Sequence, residues 1–351
     1  MHIWTDNPAT ELWRRLRYFR SPANVYNVLS GKVETKRKVV WEETDKLQSR
    51  SYDIAACIRQ ADEYYRAAEN SGLVTEPLLQ FYGAQSLAKA CILANDKSVD
   101  LANLNYHGLS TRPSTAQQTE IQKQLREYSD NYVVWEIETE FAVTHDGVFP
   151  KLCAVASDII PARGQVLRFK ELVRLLPDMA QLYSRHYGEP SHCFYLYGDA
   201  KITADGHYQI FIETTKIGFE NFKNIFPEFY DAYEVINMKP QIHGFRSVSP
   251  MKEKPDFIRI VKGTVAGEYL VKPHLSGIYT TPAVLYAVLF ILSNMVRYKP
   301  SFWMRVIEGE KTGAASIVED FSTLAKRRFP HDVLELLWDE MFTFGTPGYM
   351  V

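Results

Sequence analysis

From Ala283 to Val296 about fourteen consecutive residues carry only two polar side chains, Ser293 and Asn294. A helix that is apolar all round must be enclosed by protein or by lipid. A membrane span needs roughly twenty apolar residues, so this run reads as a buried core helix, opened by Pro282 and closed by Pro300. Other segments must then supply amphipathic faces to cover it.

The N-terminal third supplies them. Leu12, Leu16 and Phe19 recur at helical spacing within Glu11–Leu29, and Ser21-Pro22 breaks that stretch in two. The charged stretch Gly31–Arg50 reads as a solvated connection. Ile54, Ile58, Ala61, Tyr65 and Ala68 mark one face of a helix over Tyr52–Asn70. After Ser71-Gly72, Thr75 and Pro77 look like a cap and first-turn proline for a helix reaching about Ala94, apolar on most sides.

The period changes after Asp130. Val133, Trp135, Ile137, Phe141 and Val143 alternate with Val134, Glu136, Glu138 and Glu140, as in a half-buried strand. Asp146-Gly147 then predicts a hairpin into Val148–Ala156. A helix over Phe169–Tyr187 follows, then a strand at Cys193–Tyr197 and a hairpin around Asp205-Gly206 into Tyr208–Thr214. Two or three more strands are expected between Glu234 and Lys272, including Phe257–Lys262 and Tyr269–Val271. Two amphipathic helices, Ala314–Arg328 and His331–Phe342, close the chain. The expected fold class is α+β: a bundle of N- and C-terminal helices (1–128 and 281–351) holding an inserted, mostly antiparallel β-rich region (129–280) with one long helix.

Composition bounds the partners. Hydrophobic residues make up 46% and charged residues 23%, and the net charge of −2 gives no bulk attraction to nucleic acid or to an anionic membrane. No membrane association is expected. Cys57, Cys91, Cys153 and Cys193 contain no C-x-x-C pair, and the N-terminus lacks a signal-peptide pattern. Both point to a cytoplasmic chain with reduced thiols.

Several chemistries find no support. The sequence has no G-x-S-x-G elbow and no G-x-G-x-x-G fingerprint, and Gly309–Gly313 lacks the Gly-Lys step of a phosphate loop. No histidine pair has metal-ligand spacing, and His331-Asp332 reads as a helix start. Glu213–Lys216 misses a nuclease spacing by one residue, while Gly188 and Pro190 separate Arg185 from His192. No cofactor and no metal are expected.

Two clusters carry functional residue types. Asn105–Pro113 places His107, Ser110, Thr111 and Arg112 in one loop beside Gly108; a helix-exit loop capped by the histidine accounts for it equally. Arg297-Tyr298-Lys299-Pro300, with Trp303 and Arg305 beyond, ends the apolar helix. Cations there complement the helix C-terminus. They also suit a phosphate grip by Arg297, Lys299 and Arg305, with Tyr298 or Trp303 as stacking face.

These clusters join Trp13-Arg14-Arg15-Leu16-Arg17-Tyr18-Phe19-Arg20-Ser21-Pro22 and Pro77-Leu78-Leu79-Gln80-Phe81-Tyr82-Gly83, followed by Leu87-Ala88-Lys89-Ala90. In that order the chain resembles the bacterial YaaC-like proteins over essentially its whole length. The resemblance carries no catalytic residues over. The helical part is also similar in pattern to HEPN-type bundles, some of them ribonucleases of conflict and defence systems. Their Arg-His signature is missing, since no histidine follows Arg297 by four to seven residues. The leading expectation is a non-catalytic interaction or regulatory module, with a stress or defence system as one setting for it. It would bind a protein partner (or self-associate), a nucleotide or RNA. The alternative is a ribonuclease or nucleotide-cleaving enzyme using His107 with Arg297 and Lys299. A third reading gives the β-rich region its own nuclease or sensing role through Glu136, Glu138 and Glu140.

Overall fold

The computed structural model describes residues 1–36, 39, 41–42, 45–111, 137–157, 159–214, 219–239, 241–263, 267–309 and 313–345. After strand β1 (His2–Trp4) come helices α1 (Pro8–Tyr18), α2 (Pro22–Leu29), α3 (Asp45–Glu69) and α4 (Glu76–Asn95). Proline stands in the first turn of α1, α2 and α4, where its missing N–H would be unpaired anyway.

Helix α3 starts at Asp45, which shortens the expected solvated connection. Leu47 and Arg50 fall on its buried face. Arg50 is 3% exposed, lies 4.4 Å from the Trp41 ring centroid, and donates to the carbonyls of Leu93 (3.0 Å) and Asp96 (3.1 Å). It thus satisfies carbonyls that the end of α4 leaves unpaired, a long-range role that charge patterning misses. The same helices approach closely at Gly83, where a Cβ would lie 2.7 Å from the Tyr65 ring.

Strands β2 (His107–Ser110), β3 (Phe141–Gly147) and β4 (Val166–Arg168) form an antiparallel sheet in the order β2-β3-β4. The hairpin expected after Asp146-Gly147 is absent. Val148–Ser157 is helix α5, because Val148, Phe149, Leu152 and Cys153 bury one helical face and Pro150 falls in the first turn. Ile137–Thr139 is a 3-10 turn, so strand pairing begins only at Phe141 and Glu138 lies on no strand face. Val133–Glu136 lie outside the described residues.

The helix expected over Phe169–Tyr187 is broken into Phe169–Val173, a 3-10 turn at Pro177–Met179, and α6 (Ala180–Tyr187). Pro177 forces the break: Leu176 before it is extended (φ −94°, ψ 114°). Then follow β5 (Cys193–Tyr195), β6 (Lys201–Ile202), β7 (Tyr208–Glu213), α7 (Phe219–Ile225), β8 (Tyr233–Lys239), β9 (Ile242–Ser247), β10 (Ile260–Lys262) and β11 (Glu268–Val271). They form two antiparallel sheets, β6-β7-β9-β8 and β10-β11-β5. Phe194, Ile210, Phe222, Phe226 and Phe245 form their core. The turn at Asp205-Gly206 joins β6 to β7 as expected, with Gly206 at φ +85°.

The chain ends in α8 (Thr281–Tyr298), α9 (Pro300–Ile307), α10 (Ala314–Trp338) and β12 (Thr343–Gly345), which pairs in parallel with β1. Helix α8 is the apolar run; its 18 residues have the length and composition of a membrane span, and 78% of them are buried inside the protein. Helix α10 replaces the two helices expected there. Pro330 removes one N–H, but buried Phe329, Val333, Leu334 and Leu337 keep one apolar face running through it. His331 therefore stands inside the helix rather than at a start.

The architecture is α+β, with terminal helices packed together (α10 against α1 and α4) and antiparallel sheets formed by residues that lie between them in sequence. The chain divides into two compact units, Met1–Phe169 with Leu285–Val351, and Lys170–Val284.

Gly83→Ala gains about 1 kcal/mol of helix propensity but drives a methyl into the buried Tyr65 ring. Overpacking of this kind costs about 1–3 kcal/mol, so a net loss near 1 kcal/mol is expected in urea denaturation. Equal or higher stability would refute the tight α3–α4 contact.

Candidate functional site

Helix α4 is mostly buried, yet Tyr82, Gln85 and Lys89, spaced three and four apart, stay half-buried on one face. Strand β2 brings His107 to this face. Gly108 makes the placement possible: at φ +80° its missing Cβ would sit 2.4 Å from the Phe149 backbone nitrogen. The cluster read as a loop is therefore in part a strand, because His107–Ser110 pair with β3 across a bulge.

His107 is held on several sides. Gln85 Nε2 lies 2.8 Å from its Nδ1, and the Tyr286 hydroxyl donates to its carbonyl at 3.2 Å. The ring packs edge-on to Phe81 (5.2 Å) and lies 6.0 Å from Phe290. With the glutamine amide donating to Nδ1, the proton of the neutral ring sits on Nε2. Burial, then the nearby charges of Arg297 and Lys89, hold the imidazole below its ordinary range.

Arg297, on the last turn of α8, completes the site. Its Nε donates to the Ser293 carbonyl (3.2 Å), and Nη2 makes long contacts with Ser293 Oγ (3.4 Å) and Asn294 Oδ1 (3.5 Å). Nη1 reaches the Tyr82 hydroxyl at 3.5 Å. The guanidinium lies 5.9 Å from the Tyr82 ring and 5.0 Å from the Tyr298 ring, which is 70% exposed. Among the described residues no carboxylate is within ion-pair distance of Arg297 or Lys89. Asp53 offsets part of the Lys89 field, since both act on the Cys57 thiol. The result is a notch with two cations, an imidazole N–H and an exposed aromatic face, an arrangement that can accept an anion and stack a planar ring.

The other expected site residues part company. Lys299 is held by Glu140 at 2.6 Å. Trp303 is 1% exposed and donates its indole N–H to the Val74 carbonyl at 3.0 Å; the expected stacking face is packed away because α9 needs a large apolar anchor. Arg305 is exposed on α9, and Arg112 lies outside the described residues. The sequence reading missed Tyr82, Gln85 and Lys89, whose signal was a polar stripe at helical spacing on an otherwise apolar helix. His331, Asp332 and Glu335 bring ligand-type atoms within 4.8 Å of one another. His331 Nε2 lies 3.0 Å from the Phe342 carbonyl, Glu335 accepts the Phe342 N–H at 2.8 Å, and Asp332 Oδ1 lies 2.8 Å from Arg328 Nε.

A family model described as "YaaC-like Protein" matches residues 17–337. No curated protein and no solved structure matches the chain.

Because the folded-state pKa of His107 is depressed, its contribution to stability is fully present above the unfolded value near 6.5 and is lost as pH falls through the folded value. An NMR titration is expected to place its midpoint below 6.5, and Arg297→Gln to move it upward. A midpoint at or above 6.5 in the unmodified protein would contradict the geometry.

Proposed function

The chain belongs to the YaaC-like protein family, and from that premise we propose that it is a non-catalytic module that binds a phosphate-bearing ligand, a nucleotide or RNA, in the notch around His107. The carrying observation is the convergence of Arg297 and Lys89 on a neutral histidine with no carboxylate pairing either cation among the described residues. A bound phosphate would supply the missing charge. Arg297 donates in its fork geometry, Lys89 acts as a point charge, and His107 Nε2–H adds one hydrogen bond. Tyr298, exposed and held beside Arg297, offers a stacking face for a base.

A binding role draws more support than catalysis. A general-base histidine needs a free ring nitrogen to take a proton, whereas in this one Nδ1 accepts from Gln85 and Nε2 already carries the proton. The catalytic alternative, His107 with Arg297 and Lys299, keeps the support of the His107–Arg297 proximity, but Lys299 is already neutralised by Glu140. The four cysteines are buried and none of them forms a disulfide, which supports a place in the reducing cytoplasm.

Fluorescence anisotropy with a short single-stranded RNA, and calorimetry with ATP, test the reading. Arg297→Gln together with Lys89→Gln is expected to weaken binding roughly tenfold or more, and added salt to weaken it further. Bound ligand should raise the His107 midpoint, because an anion reverses the local field. Unchanged affinity in the double variant would remove the notch from consideration. Turnover of either probe, lost in His107→Ala, would favour the catalytic alternative.

A further inference from the structure

Helix α1 and its exit carry four arginines within the segment Trp13–Pro22, and the His107 notch uses none of them. Two of them, Arg17 and Arg20, meet Arg66 of α3 at one carboxylate. We propose that Arg17, Arg20 and Arg66, gathered by the buried Asp62, form a second anion site that receives a phosphate dianion, free or as the terminal group of a small phosphate monoester.

Asp62 is 1% exposed and needs a cation to be tolerated there. Arg17 alone meets that need: Nε and Nη2 donate to Oδ1 at 3.1 and 2.9 Å, and Nε also lies 3.1 Å from Oδ2. Arg20 Nη1 and Arg66 Nη2 nevertheless add bonds to Oδ2, each at 3.0 Å. Five contacts crowd two oxygens that offer about four lone-pair sites, so the carboxylate is saturated beyond what burial demands.

The outward side of the cluster is not saturated. The arginine side chains are 35%, 38% and 47% exposed. Arg17 Nη1, Arg20 Nε and Nη2, and Arg66 Nε have no acceptor among the described residues. The other charges nearby are Arg59, which donates to the Arg20 carbonyl at 2.9 Å, Glu63, 4.0 Å from Arg66, and Glu69, which acts on Arg17. Arg14 and Arg15 are paired with Glu11. Four arginines (17, 20, 59, 66) against three carboxylates (62, 63, 69) leave one net positive charge, and both glutamates are exposed.

Like charges held at one point repel unless something fixes them. Asp62 supplies the fixing, so the reorganisation that usually costs affinity is already complete before a ligand arrives. Guanidinium forks match phosphate oxygens in geometry as well as charge. Convergence on one point suits a single phosphate group rather than a row of them. This inference does not depend on the His107 notch.

The test titrates inorganic phosphate and glycerol 3-phosphate into the full chain by calorimetry, with Arg20→Gln/Arg66→Gln as the variant. Arg17 is left in place so that Asp62 keeps its fork. Measured in an Arg297→Gln/Lys89→Gln background, which takes the His107 notch out of the titration, affinity for at least one probe should fall roughly tenfold on adding Arg20→Gln/Arg66→Gln, and the tighter probe identifies the source of the phosphate. Arg20→Lys/Arg66→Lys, which keeps the charge and loses the fork, guards against misfolding and should also weaken binding. Absence of saturable binding in that background would overturn the proposal. So would binding there that survives both added double variants.

Discussion

The structure of the first unit depends on how closely α3 can approach α4. Gly83 lets the Tyr65 ring lie against the α4 backbone, and from that contact the neighbouring side chains take their places. Tyr64 meets Tyr82 with ring centroids 5.5 Å apart, and Tyr82 in turn stands under Arg297. Trp13 of α1 packs on Tyr65 at 5.1 Å, which brings Arg17 over α3. A residue with no side chain therefore sets the spacing on which both cationic clusters rely, although it touches neither.

Charge is handled in two contrasting ways within this unit. Arg50 and Asp62 are buried and satisfied by several partners each, as buried charges must be. Arg50 spends its guanidinium on α4 carbonyls and Asp100. Arg297 makes one ordinary hydrogen bond, to the Ser293 carbonyl, and otherwise long contacts with neutral groups, mostly on its own helix. Fully paired groups hold the fold together, and the incompletely paired ones are those on which the proposed ligands would draw. The two sets are the same residue types and differ in how completely the local partners satisfy them.

Much of the helical framework was legible because its signals are local: prolines in first turns, the period-3.6 face of α3, and the apolarity of α4 on most sides and of α8 all round. Most failures share one cause, which is that partners distant in sequence decided the outcome; the helix expected over Phe169–Tyr187 is the exception, since Pro177 was a local break signal passed over. Val148–Ser157 looked like the second arm of a hairpin, but β2 and β4 already pair with β3, and the apolar residues serve better as a helix face. Pro330 looked like a stop, yet buried side chains on both sides of it carry α10 through. For the site, His107, Arg297 and Tyr298 were readable as residue types at element ends. Trp303 was misjudged because its burial is set by contacts the sequence does not display. Tyr82, Gln85 and Lys89 were passed over because a helix judged apolar as a whole conceals a narrow polar stripe.

The parallel pairing of β1 with β12 joins residues 2–4 to residues 343–345, with the Thr5 N–H donating to the Gly345 carbonyl at 2.8 Å and the Thr343 N–H to that of Met1 at 3.0 Å. Its mechanical meaning lies in the direction of load. In a parallel pair, tension applied at the start of one strand and the end of the other runs along the strands, so the hydrogen bonds are sheared together instead of being peeled one at a time. A pull on strands β1 and β12 from those two sides meets this short clasp before it reaches the bundle, and the unfolding rate under force is then governed by a handful of backbone bonds.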